Sequence, residues 1–377
     1  MCKSRLTLLV MLLVAVLARP ALAFDTVAKA AILIDYPSGQ VLMEKNADDR
    51  IPPASLSKLM TAYLIFERLK SGKLKMDDEM PVSELAWRTQ GSKMFVELGS
   101  RIKVEDLLRG IIIQSGNDAC IVMAEGISGS VDEFVKLMNQ KAQDLGLTNS
   151  HFANPDGLDD PQHYMSVRDL AKLASAIIRD FPEYYGLYSE KEFVWHNIKQ
   201  NNRNPLLQMG IPGVDGMKTG HTSVAGFGLV ASAMRDNHRL IMVLAGMNSE
   251  KERRDEAQKV LEYGFRAFET YKLFDAGQTA AEVPVWLGAE SKVAAVPLEP
   301  VTATMTADLR PTLEVKARYD EPVAAPITKG QKLGELVITS QGAEPRTVPL
   351  VAGADVQKAG MLGRLTGIVG YYTGIGS

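Results

Sequence analysis

Cysteine is nearly missing from this chain, with Cys2 and Cys120 its only two. Histidine is also sparse, and its five residues are scattered, with no H-E-x-x-H or comparable ligand spacing. That pattern offers no metal centre, and nothing in the sequence asks for a cofactor. No block of like charges occurs, which removes the usual footing for nucleic acid. Collagen-like and disordered compositions are absent too. The chain is 46% hydrophobic and 23% charged, ordinary globular values, and its 377 residues suffice for one large domain and a smaller one.

The first residues predict export. Lys3 and Arg5 precede an apolar run from Leu6 to Leu17, and Ala21-Leu22-Ala23 supplies the small residues that signal peptidase requires. About a dozen apolar residues are too few for a span of roughly 20, so cleavage before Phe24 is expected rather than an anchor helix. Removal of residues 1–23 takes Lys3, Arg5 and Arg19 away and leaves 39 basic against 45 acidic residues, a net charge of −6. Cys120 then stands alone. It cannot form an internal disulfide, and after an apolar stretch it reads as a small buried hydrophobe.

Ala30–Asp35 and Gln40–Glu44, separated by Pro37-Ser38-Gly39, read as a β-hairpin. Pro52-Pro53-Ala54 then halts the chain before Ser55. From there to Lys70 the apolar positions Leu59, Ala62, Tyr63, Phe66 and Leu69 recur at threes and fours, as on one buried helix face, and Gly72 stops the pattern. Helical patterns also cover residues 104–126, 131–145 and 166–180. Two strand-like runs, Gly226–Met234 and His238–Ala245, flank Arg235-Asp236-Asn237 as a second hairpin, and a charged helix is predicted from Glu250 to Thr270. Strands at both ends with helices between imply an α/β or α+β domain over residues 24–274 whose sheet joins those ends. From about Asp275 short alternating runs replace the helical period: Glu282–Leu287, Val301–Thr306, Thr312–Tyr319, Leu333–Thr339 and Arg346–Val351. Residues 275–355 therefore read as a small all-β domain.

Residues 356–377 read as a separate tail. Wound at about 100° per residue, 360–375 places Met361, Leu362, Leu365, Ile368, Val369, Tyr372 and Ile375 on one arc and five glycines opposite. An amphipathic helix lying in the membrane interface is expected, forming only on lipid because each glycine costs about 1 kcal/mol relative to alanine.

Three short elements carry chemistry: Ser55-Leu56-Ser57-Lys58, Ser115-Gly116-Asn117 and Lys218-Thr219-Gly220. About one S-x-x-K is expected by chance in a chain this long, and Ser100-Arg101-Ile102-Lys103 is such a decoy. Context separates them. Ser55 opens an apolar helix, so Lys58 one turn later shares its face, and free amides and the helix dipole converge where negative charge would develop. Ser115-Gly116-Asn117 breaks the apolar run Leu107–Ile113, and Lys218-Thr219-Gly220 precedes the second hairpin, where it can line a sheet edge. Alone, each has a bland reading: an N-cap serine, a turn asparagine, a solvated lysine. In order and in fitting contexts, the three together read as a serine hydrolase with Lys58 as base.

With these motifs the sequence resembles the penicilloyl-serine superfamily, and within it the low-molecular-mass penicillin-binding D-alanyl-D-alanine carboxypeptidases. The likeness extends to Ser92-Lys-Met-Phe95, Gln114–Ala119, His151-Phe152, Gly157-Leu158, Gln200-Asn-Asn-Arg-Asn204, Val214–Thr222 and Tyr263–Thr270, nearly all of residues 24–274. The resemblance implies a β-lactamase/DD-peptidase-like domain followed by a β domain and an anchoring tail on the periplasmic face of the inner membrane. It implies that Ser55 attacks the carbonyl between two terminal D-alanines of a peptidoglycan stem, with Lys58 accepting its proton. Burial and the charge of Lys218 would keep Lys58 neutral. Ser115 would relay a proton to the leaving group and Asn117 orient the substrate amide. Lys218 and Thr219 would face the terminal carboxylate, assisted by Arg254 or its neighbour Arg253. Backbone amides of Ser55 and His221 would form the oxyanion hole, and β-lactams would inhibit covalently.

A class A β-lactamase would carry an E-x-x-L-N stretch between the second and third elements, and none is present. An endopeptidase cutting cross-links would use the same residues, so that reading stays open beside the carboxypeptidase. A catalytically idle wall-binding or shape-determining module would be expected to have decayed motifs, whereas all three are intact.

Overall fold

The computed structural model describes residues 24–360 apart from Asn237. The expected signal peptide lies outside the described residues, as does the tail beyond Gly360. A five-stranded antiparallel sheet forms the centre of the first domain. Its strands are β1 (Ala30–Asp35), β2 (Val41–Lys45), β3 (Val214–Thr222), β4 (Gly226–Arg235) and β5 (His238–Met247), in the spatial order β2-β1-β5-β4-β3. The first hairpin thus joins the last one through the β1–β5 pairing, Ala30 opposite Ala245 and Asp35 opposite Leu240.

Both faces of this sheet are covered, which explains why its strands read as unbroken apolar runs. Successive side chains alternate in direction along a strand. Ala30, Ile32, Ile34, Val230, Ile241 and Val243 point into the helical lobe, while Ala31, Leu33, Leu229, Leu240 and Met242 pack with Ala257, Val260 and Leu261 of a helix on the opposite face. The lobe consists of α1 (Lys58–Lys70), α2 (Val104–Ile112), α3 (Asn117–Ser128), α4 (Val131–Asp144) and α5 (Val167–Asp180), and the helix behind the sheet is α6 (Glu250–Ala267). All side chains of α1 from Lys58 to Phe66 are buried, so α1 runs through the lobe instead of lying on it.

The expected helix over 104–126 is two helices, parted at Ile113–Gly116, and the third motif lies within strand β3, at the sheet edge it was expected to line. The helix expected to reach Thr270 ends at Ala267. Glu269–Phe274 is a strand paired with Val301–Met305, because Glu269, Tyr271 and their neighbours alternate at period two once the helical apolar stripe has ended. The short hairpin Glu192–Trp195/Ile198–Asn201 was not legible in the sequence.

Beyond Ala267 the described residues are mostly β, with one 3-10 turn at Arg310–Thr312. A six-stranded sheet includes Lys292–Val296, Glu314–Tyr319, Lys332–Thr339 and Arg346–Ala352, around a core of Val283, Val293, Leu336 and Leu350. Val356 and Lys358 bridge to Ile327 and Gly288, holding the chain to this domain at the start of the segment read as tail. Arg346 ties the two domains by donating to the Ser38 carbonyl at 3.0 Å, and the Thr304 amide donates to Gln40 Oε1 at 3.3 Å.

Candidate active site

Ser55 sits in a single 3-10 turn, Ala54–Ser57, that runs directly into α1. Two glycines let other segments close on this turn. A β-carbon on Gly157 would lie 2.0 Å from the Ala54 carbonyl oxygen, and one on Gly220 would lie 3.0 Å from the Pro53 carbonyl oxygen. Only a residue without a side chain fits at Gly157, which also adopts φ +81°. The loop of residues 154–158 and strand β3 can therefore both reach the serine.

Lys58, 1% exposed, lies one turn on, as the spacing predicts. Its Nζ donates to Ser55 Oγ at 2.8 Å, to Asn117 Oδ1 at 2.8 Å and to the Asp156 carbonyl. Three acceptors satisfy the ammonium. A neutral amine would keep two of them and accept a hydrogen bond from the Ser55 hydroxyl. Burial holds the Lys58 amine below its ordinary range; the Arg203 cation pushes the same way, while Cys120, Asp156 and Asp118 oppose. Lys218 is 2% exposed, and its amine is pushed well down, first by burial and then by the positive charges of Lys58 and Arg203. Two buried amines thus lie near an exposed guanidinium, and the three charges disfavour one another.

Ser115 is buried at φ +61°, and its hydroxyl has no hydrogen-bond partner. A left-handed serine with a free hydroxyl beside a cleft is a local cost met by surrounding structure, a feature that clusters at functional sites. Asn117 begins α3, donating from Nδ2 to the Gln90 carbonyl at 2.8 Å and from its backbone amide to the Ser92 carbonyl at 2.7 Å. Beside it the buried Asp118 accepts from the amides of Met94, Phe95 and Val96 at 2.9, 2.9 and 3.2 Å. Cys120 is fully buried with its thiol pushed up to about 12 by burial, as suits a packing residue.

The cleft beside Ser55 measures about 760 Å³, and Ser115, Thr219, Gly220 and His221 line it. The His221 ring stacks on Phe227 with centroids 3.9 Å apart. Four cationic side chains border the space: Arg203, Lys251, Arg253 and Arg254. Arg254 is 42% exposed and paired with Asp255, whereas Arg253 is 7% exposed, lies over the Phe227 ring, reaches Glu250 with Nη2 at 3.9 Å and leaves its Nε without a partner. Arg203 donates to Ser92 Oγ at 2.6 Å. It had stood in the sequence only as part of Gln200–Asn204, without a role. The decoy residue Lys103 ends a short strand, half exposed and paired with Glu105.

A serine hydroxyl in contact with a buried lysine amine, set at the start of a buried helix beside a cationic cleft, is the geometry a serine hydrolase needs. Residues 17–249 match the D-alanyl-D-alanine carboxypeptidase family, and residues 268–358 match the C-terminal domain of penicillin-binding protein 5. The D-alanyl-D-alanine carboxypeptidase DacA of Haemophilus influenzae is 44% identical over 345 residues, covering 90% of this chain and 87% of that protein. DacC of Escherichia coli, of the same description, is 41% identical over 345 residues, covering 90% and 86%. The crystal structure of penicillin-binding protein 5 from Haemophilus influenzae superposes with a TM-score of 0.82 at 42% identity, covering 89% of this chain and 98% of that one. The chain belongs to the serine D-alanyl-D-alanine carboxypeptidases, in the low-molecular-mass penicillin-binding group.

Proposed function

We propose that this chain removes the terminal D-alanine from peptidoglycan pentapeptide stems through an acyl-ester on Ser55, and that β-lactams acylate the same oxygen. The observation that carries the reading is the 2.8 Å contact between Lys58 Nζ and Ser55 Oγ in a site that pushes the amine toward its neutral form. Neutral Lys58 takes the hydroxyl proton as Oγ adds to the scissile carbonyl. Backbone amides of Ser55 and His221 receive the oxyanion. As the C–N bond breaks, the proton passes through the free hydroxyl of Ser115 to the departing D-alanine nitrogen. Water then adds to the ester, Lys58 again acting as base, and Ser55 regains its proton as the shortened stem leaves. Asn117, held from both sides, orients the substrate amide. Lys218 and Thr219 with the bordering arginines receive the terminal carboxylate. Arg253, buried and with a free Nε, is better placed for that contact than the solvated Arg254.

Fluorescent penicillin labelling of the purified protein tests this directly. Wild-type protein should label and Ser55→Ala should not, while its circular dichroism stays unchanged. Full labelling of the variant would overturn the assignment. Cleavage of D,D cross-links would use the same machinery on a longer leaving group. The export signal in residues 1–23 and the apolar arc of the tail support a periplasmic enzyme held peripherally on the cytoplasmic membrane.

A further inference from the structure

Trp87, Phe95 and Ile198 are large apolar side chains, 45%, 48% and 41% exposed, gathered at one spot. Together with Lys93, Glu97 and His196 they line a pocket of about 310 Å³ between the loop of residues 89–100 and the Glu192–Trp195/Ile198–Asn201 hairpin. Phe95 is held there in a conformation that bulky residues avoid, at φ +69°, and its amide is one of the three bound by the buried Asp118 carboxylate. A strained backbone that presents an aromatic ring to water persists only where its surroundings over-determine it. The two walls are also fixed to each other: Gln200 Nε2 donates to the Lys93 carbonyl at 3.2 Å, and Lys93 Nζ to the Trp87 carbonyl at 3.1 Å.

This pocket adjoins the catalytic cleft through the chain. Ser92 and Asn201, the neighbours of Lys93 and Gln200 in the chain, both line the cleft beside Ser55. Resting on the peptidoglycan reading above, we infer that the pocket is a subsite for the glycan strand that carries the stem peptide. A pyranose offers an apolar C–H face and a rim of hydroxyl and acetamido groups. Aromatic rings suit the face, and the ammonium, imidazole and carboxylate around them suit the rim. The Glu97 carboxylate lies 2.8 Å from the His196 imidazole and the Lys93 ammonium offsets its charge, so polar neutral groups suit the rim. A stem peptide in the cleft and its own sugar in the pocket would make one bivalent substrate.

The test uses full-length protein and two probes. First, glycan strands stripped of stem peptides are titrated calorimetrically into Ser55→Ala protein, so that binding is read without turnover. Binding is expected, and adding Trp87→Ala with Phe95→Ala should weaken it about five- to tenfold. Second, Trp87→Ala is assayed against a soluble peptide ending in D-Ala-D-Ala and against pentapeptide-bearing glycan chains. The soluble peptide should keep its kcat/KM within about twofold, while on the glycan substrate KM should rise about fivefold at unchanged kcat. Absence of binding to peptide-free glycan overturns the inference. Equal losses on both substrates would show that the patch only supports the cleft, and self-association through it would assign the surface to a second copy. Because binding is measured on Ser55→Ala, failure of the subsite and failure of the catalytic assignment are read separately.

Discussion

Lys58 and Asn117, 59 residues apart in sequence, meet through a 2.8 Å hydrogen bond from Nζ to Oδ1. The first and second motifs are therefore one electrostatic unit. Asn117→Asp changes almost no volume but puts a carboxylate beside the amine, which favours its protonated form. Acylation by Asn117→Asp should fall more than in Asn117→Ala at pH 7. It should recover as pH rises, with the acid limb of its profile moved up by about one unit or more. Stopped-flow penicillin acylation across pH checks this, and identical profiles for the two variants would refute it.

Lys218 and Lys103 test motif context. Both follow a Ser/Lys or Lys/Thr pattern in the sequence, yet one is buried beside Lys58 and the other half exposed on a short strand. Lys218→Ala should slow acylation about 100-fold or more, the scale of losing one preorganised electrostatic contact. Lys103→Ala should stay within about twofold. Comparable losses in the two would mean that position in the fold does not decide function here.

His163 should make the fold acid-sensitive. Burial pushes its imidazole down from 6.5 to about 4, helped by the charges of His151 and Lys58 and opposed by Asp160. Its Nδ1 accepts from the Ala153 amide at 3.4 Å, and its Nε2 is buried without a partner. Because the folded state binds this proton less readily than the unfolded state, stability is complete above pH 6.5 and declines as pH falls toward 4. The loss from this residue between pH 7 and pH 4.5 should be about 2–3 kcal/mol. Urea unfolding of His163→Gln should show a correspondingly flatter pH dependence. An unchanged slope would place the acid sensitivity elsewhere.

The tail reading is tested by flotation on liposomes. Mature protein should float, protein lacking residues 361–377 should not, and high salt should weaken flotation little because the tail is poor in lysine. Flotation of the truncated protein would place the anchor in another segment.

Much of the fold was legible because its signals are local. The threes-and-fours period of α1, the two hairpins of the central sheet and their turns, and the loss of helical period after the first domain each follow from short-range patterns, whereas the burial of α1 on all sides does not. The meeting of Ser55 with Lys58, near Lys218, was legible for the same reason, through spacing and setting. Other features depend on contacts no local pattern encodes. The Asp156 carbonyl reaches Lys58 only because Gly157 lets its loop press on Ala54. Arg203 stands in an unremarkable polar run and gains importance because its exposed guanidinium lowers the charge preference of two buried lysines. Arg253 and Arg254 are adjacent in the same helix, so sequence alone gives each an equal claim, and only burial against Phe227 tells them apart. The Glu269–Phe274 strand escaped because it continues a helix without a proline or glycine between them.

Strand β3 pairs with β4 on one side and is the last strand of its sheet on the other, where Thr219, Gly220 and His221 border the cleft. An outermost strand is ordinarily a hazard, a template on which any extended chain can grow. Here the template borders a cleft flanked by cations, which on the proposed function would suit extended peptides that end in a negative charge. Recognition along such a rim is carried by main-chain groups, which every peptide possesses whatever its side chains. On the proposed binding mode the enzyme would read the final linkage of a stem while ignoring most of what precedes it. The same indifference leaves the rim open to any compact amide-bearing carboxylate that copies the outline of a chain end.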